Sequence, residues 1–394
     1  MTVAATRLPR TIWMLGFTSL FMDVSSEMAH SLMPLFLTVG LGASVFAVGL
    51  IDGLAEATAS LAKIFSGALS DWFGKRKALA LIGYGLSALT KPLFPLAEGV
   101  AGVFVARFFD RLGKGIRGAP RDALVADAVP AELRGAAYGL RQGLDTVGAL
   151  MGPLLAAGLL VLFAGAFRPV LWLAVLPAFA AVAVLALGVR EPARVHAPGL
   201  TFPLAPTALA RLGGGYWRLM ALLLLLLLPR FSEAFLLLRG ADVGLPLAYV
   251  PLVLAFMNLV AAALSSPIGR RSDRTGRHGL VAAGFAALVL AHAVLWAAGG
   301  PLLVFAGAAL WGLHLALTQG VLSALVADLV PADLRGTAFG VFHLVSGLAI
   351  LVGSAAAGWL WDGFGAGSTF AVAGAVGAVG VVAFLALAPR PQPR

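Results

Sequence analysis

Apolar and polar positions alternate along the chain on a long scale. Apolar runs fall near residues 11–39, 46–69, 78–97, 99–122, 135–165, 168–189, 217–238, 246–268, 279–298, 301–328, 335–361 and 367–388, with short polar connections between them. A helix of about 20 apolar residues crosses the roughly 30 Å hydrocarbon layer. The pattern therefore predicts an all-α polytopic membrane protein with twelve transmembrane helices.

Several runs are interrupted by charge. "FMDVSSEMAH" at 21–30 places Asp23, Glu27 and His30 at the centre of the first run. Each such group costs about 3 kcal/mol or more in hydrocarbon. At about 100° per residue the three project within about 60° of one another. Asp52, Glu56 and Lys63 share a face of the second run in the same way. In the fourth, Arg107, Asp110, Arg111, Lys114 and Arg117 form one stripe within eleven residues. The fifth carries Arg141 and Asp145 one turn apart, and the seventh carries Arg230 and Glu233. At about 1.5 Å per residue, Asp23, Glu56, Arg111 and Asp145 all come near mid-membrane.

Lipid would not tolerate these faces, so they line water or meet one another. The candidate proton and substrate residues are Asp23, Glu27, His30, Asp52, Glu56, Arg107, Arg111, Arg141, Asp145, Arg230 and Glu233. Asp23 is expected to lie within reach of Arg111. Arg121 and Asp122 are expected at the inner interface as snorkelling residues. The competing reading is a fixed ionic scaffold that only assembles the first half. His30 titrates near neutral pH and can ligate a metal, so it is the candidate metal residue. With Asp23 and Glu27 it would offer oxygen and nitrogen donors suited to nickel or zinc. Alternatively the acids serve protons alone, and an organic substrate rests on Trp311, Phe339 and Phe342.

The chain also repeats itself. "DALVADAVPAELRGAAYG" at 122–139 returns as "SALVADLVPADLRGTAFG" at 323–340, offset by 201 residues. "GALSDWFGKR" at 67–76 returns as "GRRSDRTGRH" at 269–278, offset by 202. Two landmarks in the same order imply two six-helix halves, 1–190 and 217–394, joined by a Pro-, Gly- and Arg-rich linker at 191–216. In "GALSDWFGKR", Gly74 permits a tight reversal between two helices.

Composition agrees with the membrane reading: of 394 residues, 60% are hydrophobic and 12% charged. The net charge of +10 suggests nucleic acid until its placement is considered. Lys and Arg crowd both tails and one set of connections, while the opposite set holds Arg168 and Arg239. That asymmetry predicts a multi-pass protein of the cytoplasmic membrane with both termini in the cytoplasm. The expected partners are the lipid bilayer, protons and a small-molecule or ion substrate, with no nucleic acid. There is no cysteine, so disulfides and thiolate metal sites are excluded. No nucleophile–base pair stands out, and neither enzyme activity nor a cofactor is expected. The basic start "MTVAATRLPR" precedes a run too long and too charged for a cleaved signal, so that run is read as the first helix.

Two parallel six-helix halves with these motifs resemble the major facilitator superfamily across nearly the whole chain. Gly67, Asp71, Gly74, Lys75 and Arg76 look like its signature loop between helices 2 and 3, and Gly269, Asp273, Gly276 and Arg277 like the weaker copy. The resemblance implies that Asp71 accepts from the start of helix 11, near Leu334–Thr337, and that Lys75 pairs with Asp127. By the repeat, Asp273 faces helix 5 and Arg277 pairs with Asp328. Such contacts would gate the cytoplasmic side. Arg111-Leu-Gly-Lys114-Gly115 is similar to the helix-4 pattern, with Lys114 in place of a Gln-like residue. Gly148, Gly152 and Pro153 resemble the helix-5 pattern of proton antiporters, with Ala156 and Ala157 replacing its closing glycines. "LFMDVSSEM" and "DRLGKGIRGAPRDALVAD" resemble a prokaryotic subgroup that includes nickel-resistance permeases. The resemblance implies proton-coupled efflux by alternating access, with divalent-metal export as the alternative. A membrane sensor or scaffold is the reading from another class.

Overall fold

The computed structural model describes residues 8–73, 75–191, 206–275, 277–331 and 334–389, without the side chains at 71, 73, 131 and 270–275. The helices are α1 (Arg10–Leu35), α2 (Val45–Phe73), α3 (Arg76–Thr90), α4 (Val100–Asp127), α5 (Arg134–Leu162) and α6 (Phe167–Gly188). They continue with α7 in two pieces (Gly214–Leu227 and Ala234–Asp242), α8 (Pro251–Thr275), α9 (Arg277–Trp296), α10 (Pro301–Asp328), α11 (Arg335–Phe364) and α12 (Ala366–Leu387). Among the described residues nine segments are long and apolar enough to cross a membrane. The other three are α1 and α4, which carry the ionisable stripes, and the broken α7.

The repeat extends to the backbone. α3 and α9 begin at Arg76 and Arg277, 201 residues apart, and α5 and α11 begin at Arg134 and Arg335. α4 and α10 each follow an extended glycine, Gly99 and Gly300, and end at Asp127 and Asp328. Arg76 Nη1 donates to Asp127 Oδ2 at 2.6 Å and to the Ala123 carbonyl at 3.1 Å. Arg277 Nη1 donates to Asp328 and to the Ala324 carbonyl in the same register.

The expected Lys75–Asp127 pair is therefore corrected. Lys75 is exposed, and its neighbour Arg76 takes the carboxylate. Lys75 is the residue by which the first loop exceeds the second, which explains the offsets of 201 and 202. Each pair joins helices of one half, so it braces a loop and does not itself bridge the halves. Gly74 and Gly276, and the side chains of Asp71 and Asp273, lie outside the described residues. Gly67 meets α4 at Ala119 in ordinary contact.

Reversing Arg76→Asp or Asp127→Arg singly should lower the yield of folded protein several-fold, and the double reversal should recover part of it. A partly buried pair of this kind is worth about 1 kcal/mol. Lys75→Asp should stay within about twofold of wild type, since Lys75 meets water. Size-exclusion yields of all four variants check this; a Lys75→Asp loss as large as that of Arg76→Asp would refute the assignment.

α1 packs on α5 and α6, and α4 on α2 and α3, making the first bundle; in the second, α10 packs on α8 and α9, and α9 on α12. The bundles meet where α2 crosses α11 and where α5 meets α8. Glycine makes the α2–α11 seam. A Cβ at Gly49 would stand 2.2 Å from the Ser354 carbonyl, and one at Gly358 2.6 Å from the Phe46 Cα. Such small residues let membrane helices meet backbone to backbone. At the end of the seam, Asp362 accepts from the Val45 and Phe46 N–H groups at 3.0 and 2.8 Å, capping α2 from α11. This end is called the far end below, and the end carrying the two repeated loops the motif end. Of the expected linker, 192–205 lies outside the described residues, Pro206–Ala210 is a short helix, and α7 already begins at Gly214.

α7 departs from the apolar pattern, which predicts one helix over 217–238. The helix stops at Leu227 and restarts at Ala234 around Pro229. Broken backbone is tolerated at this depth where other groups satisfy it. The Ser232 N–H donates to Ser354 Oγ at 3.0 Å, and Ser232 Oγ accepts from the Ala234 N–H at 3.1 Å. The Pro229 carbonyl accepts from His292 Nε2 at 2.9 Å.

Candidate functional site

The stripe on α4 meets two acids of α2 and a lysine beyond α3. Arg107 Nε donates to Asp52 Oδ1 of α2 at 3.1 Å, with Nη2 at 3.0 Å. Asp52 also accepts from Ser232 Oγ at 2.9 Å, tying the first bundle to the break in α7. Arg111 Nη1 lies 3.2 Å from Glu56 Oε1, while Asp110 accepts from Lys91 Nζ at 2.9 Å. Lys91 Nζ also donates to Ser26 of α1 at 3.1 Å. Arg117 stacks over Tyr84 at 4.7 Å and donates to Ser87 Oγ at 2.7 Å. Nearer the motif end, Arg141 donates to Asp145 at 2.5 Å, and Arg121 donates to Asp122 at 3.1 Å and to Ser19 at 3.2 Å. Arg107, Asp52, Lys91 and Asp110 are all no more than 3% exposed, and isolated charges so buried would be severely penalised. Pairing makes the stripe tolerable.

α5 sets the position of α1. A Cβ at Gly148 would stand 2.7 Å from the Leu20 carbonyl and 3.0 Å from Asp23 Cβ. One at Gly152 would stand 2.7 Å from Glu27 Cβ. The glycines of the helix-5 motif thus seat the acidic face of α1, and Pro153 lies buried beside them. Asp23 makes no hydrogen bond or ion pair among the described residues. The expected approach of Asp23 to Arg111 is corrected, because Glu56 takes that guanidinium. Glu27 Oε2 lies 3.6 Å from His30 Nδ1, and His30 Nε2 lies 3.9 Å from Asp52 Oδ2.

Two joined chambers open inside this network. The first, about 330 Å³, is lined by Asp23, Glu27, Glu56, Lys63, Lys114, Arg117, Arg121, Asp122, Asp145 and His343. The second, about 300 Å³, lies between the bundles and adds His30, Arg111, Arg230, Glu233, Asn258 and Gln319. Glu27, Glu56 and Lys114 line both. Asp122 sits five residues before the end of α4, so the first chamber reaches about 8 Å from the motif end. Arg121 and Asp122 are therefore cavity residues, not the snorkelling residues expected. Toward the far end the bundles touch through Asp362, the glycine seam, Asp52–Ser232 and Asn258 Nδ2, which donates to the Ala149 carbonyl at 3.1 Å.

The chambers gather most of the candidates: Asp23, Glu27, His30, Glu56, Arg111, Asp145, Arg230 and Glu233 line them. Asp52, Arg107 and Arg141 stand directly behind as partners. Glu27 and Glu233, one from each bundle, both face the central chamber. Lys91, Ser232 and Ser87 escaped sequence reasoning; the charge of Lys91 inside an apolar run was the available signal. The aromatic platform expected at Trp311, Phe339 and Phe342 lines neither chamber. Trp311 is 0% exposed and packs against Phe231 and His292, with ring centroids 5.7 and 5.4 Å away. His314 is equally buried, donating from Nδ1 to the Gly284 carbonyl at 2.9 Å. Among the described residues no group of three or more His, Cys, Asp or Glu is placed to hold a metal ion. The carboxylate of Asp52, one of the two acids beside His30, is already held by Arg107 and Ser232.

The profile of the Major Facilitator Superfamily matches residues 15–238 and again 234–394. The chain belongs to the major facilitator superfamily. The uncharacterized MFS-type transporter MJ1317 of Methanocaldococcus jannaschii is 31% identical over 371 residues, covering 90% of this chain and 89% of that one. Multidrug resistance protein MdtH of Salmonella arizonae is 27% identical, covering 88% and 85%. Among solved structures, the nucleoside transporter NupG superposes with a TM-score of 0.77 at 14% identity, covering 96% and 98%. That likeness shows the fold. This major facilitator chain is thus a multi-pass membrane transporter whose two bundles enclose a charged cavity. Such a space can exchange protons with carboxylates and hold a polar solute.

Proposed function

We infer that this transporter works by alternating access and couples the export of a small polar solute to proton entry. The carrying observation is Asp23, whose side chain has no hydrogen-bond or ion-pair partner among the described residues, facing a chamber whose other acids, Glu27, Glu56, Asp122 and Asp145, each have a basic neighbour. A carboxylate free of a fixed partner can take up and release a proton as the cavity changes sides. Export is favoured by the Gly148–Pro153 motif, which resembles that of antiporters, and by the likeness to MdtH. The halves 1–190 and 217–394 would rock about the cavity, with 191–216 as linker and both termini in the cytoplasm. Asp71 and Asp273, the latter with Arg277 and Asp328, would set the gate at the motif end. The metal reading rests on His30, and it loses ground because Asp52, one of the two acids beside His30, is already engaged.

Purified protein in liposomes should move solute in the direction opposite to the protons of an imposed pH gradient, and an ionophore that collapses the gradient should stop it. Nickel flux in the same vesicles should be indistinguishable from empty liposomes. A sensor or scaffold would move nothing, and nickel movement that depends on His30 would reinstate the metal reading.

A further inference from the structure

The two bundles contribute unequal charges to the central chamber. Glu56 and Arg111 are paired at its wall, and Glu27 lies beside His30. Lys114 on α4, and Arg230 and Glu233 at the break in α7, line the chamber with side chains that make no hydrogen bond or ion pair among the described residues. Deeper in the first bundle the strongly buried Lys91, Asp110, Arg107 and Asp52 are all paired, as the cost of burying lone charge demands. Charges left free where the chain pairs its others are available to a ligand.

Their signs identify the ligand. The chamber's acids, Glu27, Glu56 and Glu233, balance its fixed bases, Arg111, Lys114 and Arg230. A net anion or net cation would upset that balance in a space of low dielectric, whereas a dipolar molecule would not. We propose that the central chamber binds a small zwitterionic organic solute. Its carboxylate or other anionic group is held by Lys114 and Arg230, and its ammonium by Glu233. The solute is of amino-acid or short-peptide size, since about 300 Å³ is the low end of ligand cavities. The inference rests on the transport reading only for the solute's movement; binding is independent of it.

The test is thermal stabilisation of the detergent-solubilised protein by three solute pools at equal concentration. They are free amino acids with dipeptides, the same compounds N-acetylated (anionic), and the same compounds as C-terminal amides (cationic). The unmodified pool is expected to raise Tm, and each capped pool to need at least tenfold higher concentration. Glu233→Gln should weaken the unmodified pool at least tenfold while leaving the acetylated pool unchanged, which a purely structural role would not do. Lys114→Gln should do the same with the amide pool unchanged. Equal or better stabilisation by either capped pool, or no shift with any pool, overturns the proposal. Flux in liposomes is read separately. Binding without movement would refute transport and leave this site standing; proton-driven movement of an acetylated pool would do the reverse.

Discussion

Asp23→Asn should remove proton-driven transport, by at least tenfold, while yield and Tm stay at wild-type values. The side chain has no hydrogen-bond or ion-pair partner among the described residues, so an amide forfeits no contact. It keeps the size demanded by Gly148, whose Cβ position lies 3.0 Å from Asp23 Cβ. What it loses is the ability to release a proton. Asp52→Asn makes the contrast. Asp52 is 2% exposed and bound to Arg107, 1% exposed, and to Ser232. Removing one partner of so buried a pair costs about 3–5 kcal/mol, because the other charge is stranded. Asp52→Asn is therefore expected to appear as lost folded protein, and Asp23→Asn as folded protein without coupling. Glu27→Gln should also lose coupling, with a smaller effect on pH dependence than Asp23→Asn. Tm and pH-gradient-driven flux measured on the same preparations separate the cases. Full proton-driven flux in Asp23→Asn would move the coupling site elsewhere.

The sequence pattern located the helices and the faces that matter, because hydrophobic length and helical spacing are properties of one segment at a time. α2 and α10 begin and end within a few residues of the apolar runs. Asp23, Glu27, Asp52, Glu56 and the α4 stripe do turn toward one another. Which acid meets which base was not legible. Arg111 goes to Glu56 and not to Asp23, and Lys91 enters from beyond α3 to take Asp110. Those choices depend on the relative height and rotation of separate helices, which spacing within a helix does not fix. The break in α7 was hidden for another reason. Pro229 stands in a leucine-rich run, and proline alone often only kinks a membrane helix. His292 and Ser354, which come from elsewhere in the chain, join Ser232 within the break in satisfying the freed backbone groups, and so turn the kink into a break. The Lys75–Asp127 expectation failed on a single residue of loop length, which the 201-residue offset of the longer repeat already contained.

Gly49→Val should unseat the far-end closure and shift the transporter toward the opposite-facing state. Any Cβ at Gly49 would stand 2.2 Å from the Ser354 carbonyl, a backbone atom that cannot rotate away. Nor can α11 retreat, because Gly353 is already set against the Leu228 carbonyl, its Cβ position 2.2 Å distant. α11 is wedged between α2 and α7. Overpacking of this kind costs about 1–3 kcal/mol. Here it falls on the state that joins α2 to α11, so the equilibrium should move by about 5- to 150-fold. The chain has no cysteine, so a single introduced thiol reports access without background. Ala59→Cys lines the chamber on the motif side, and Leu351→Cys lies on the seam. With Gly49→Val, an impermeant maleimide should label Ala59→Cys more slowly from the motif end and Leu351→Cys faster from the far end. Gly158→Val, where a Cβ meets nothing within 4 Å, should leave both rates within twofold. If Gly49→Val leaves both rates unchanged as well, the α2–α11 seam packs the bundles together without deciding which end of the cavity is open.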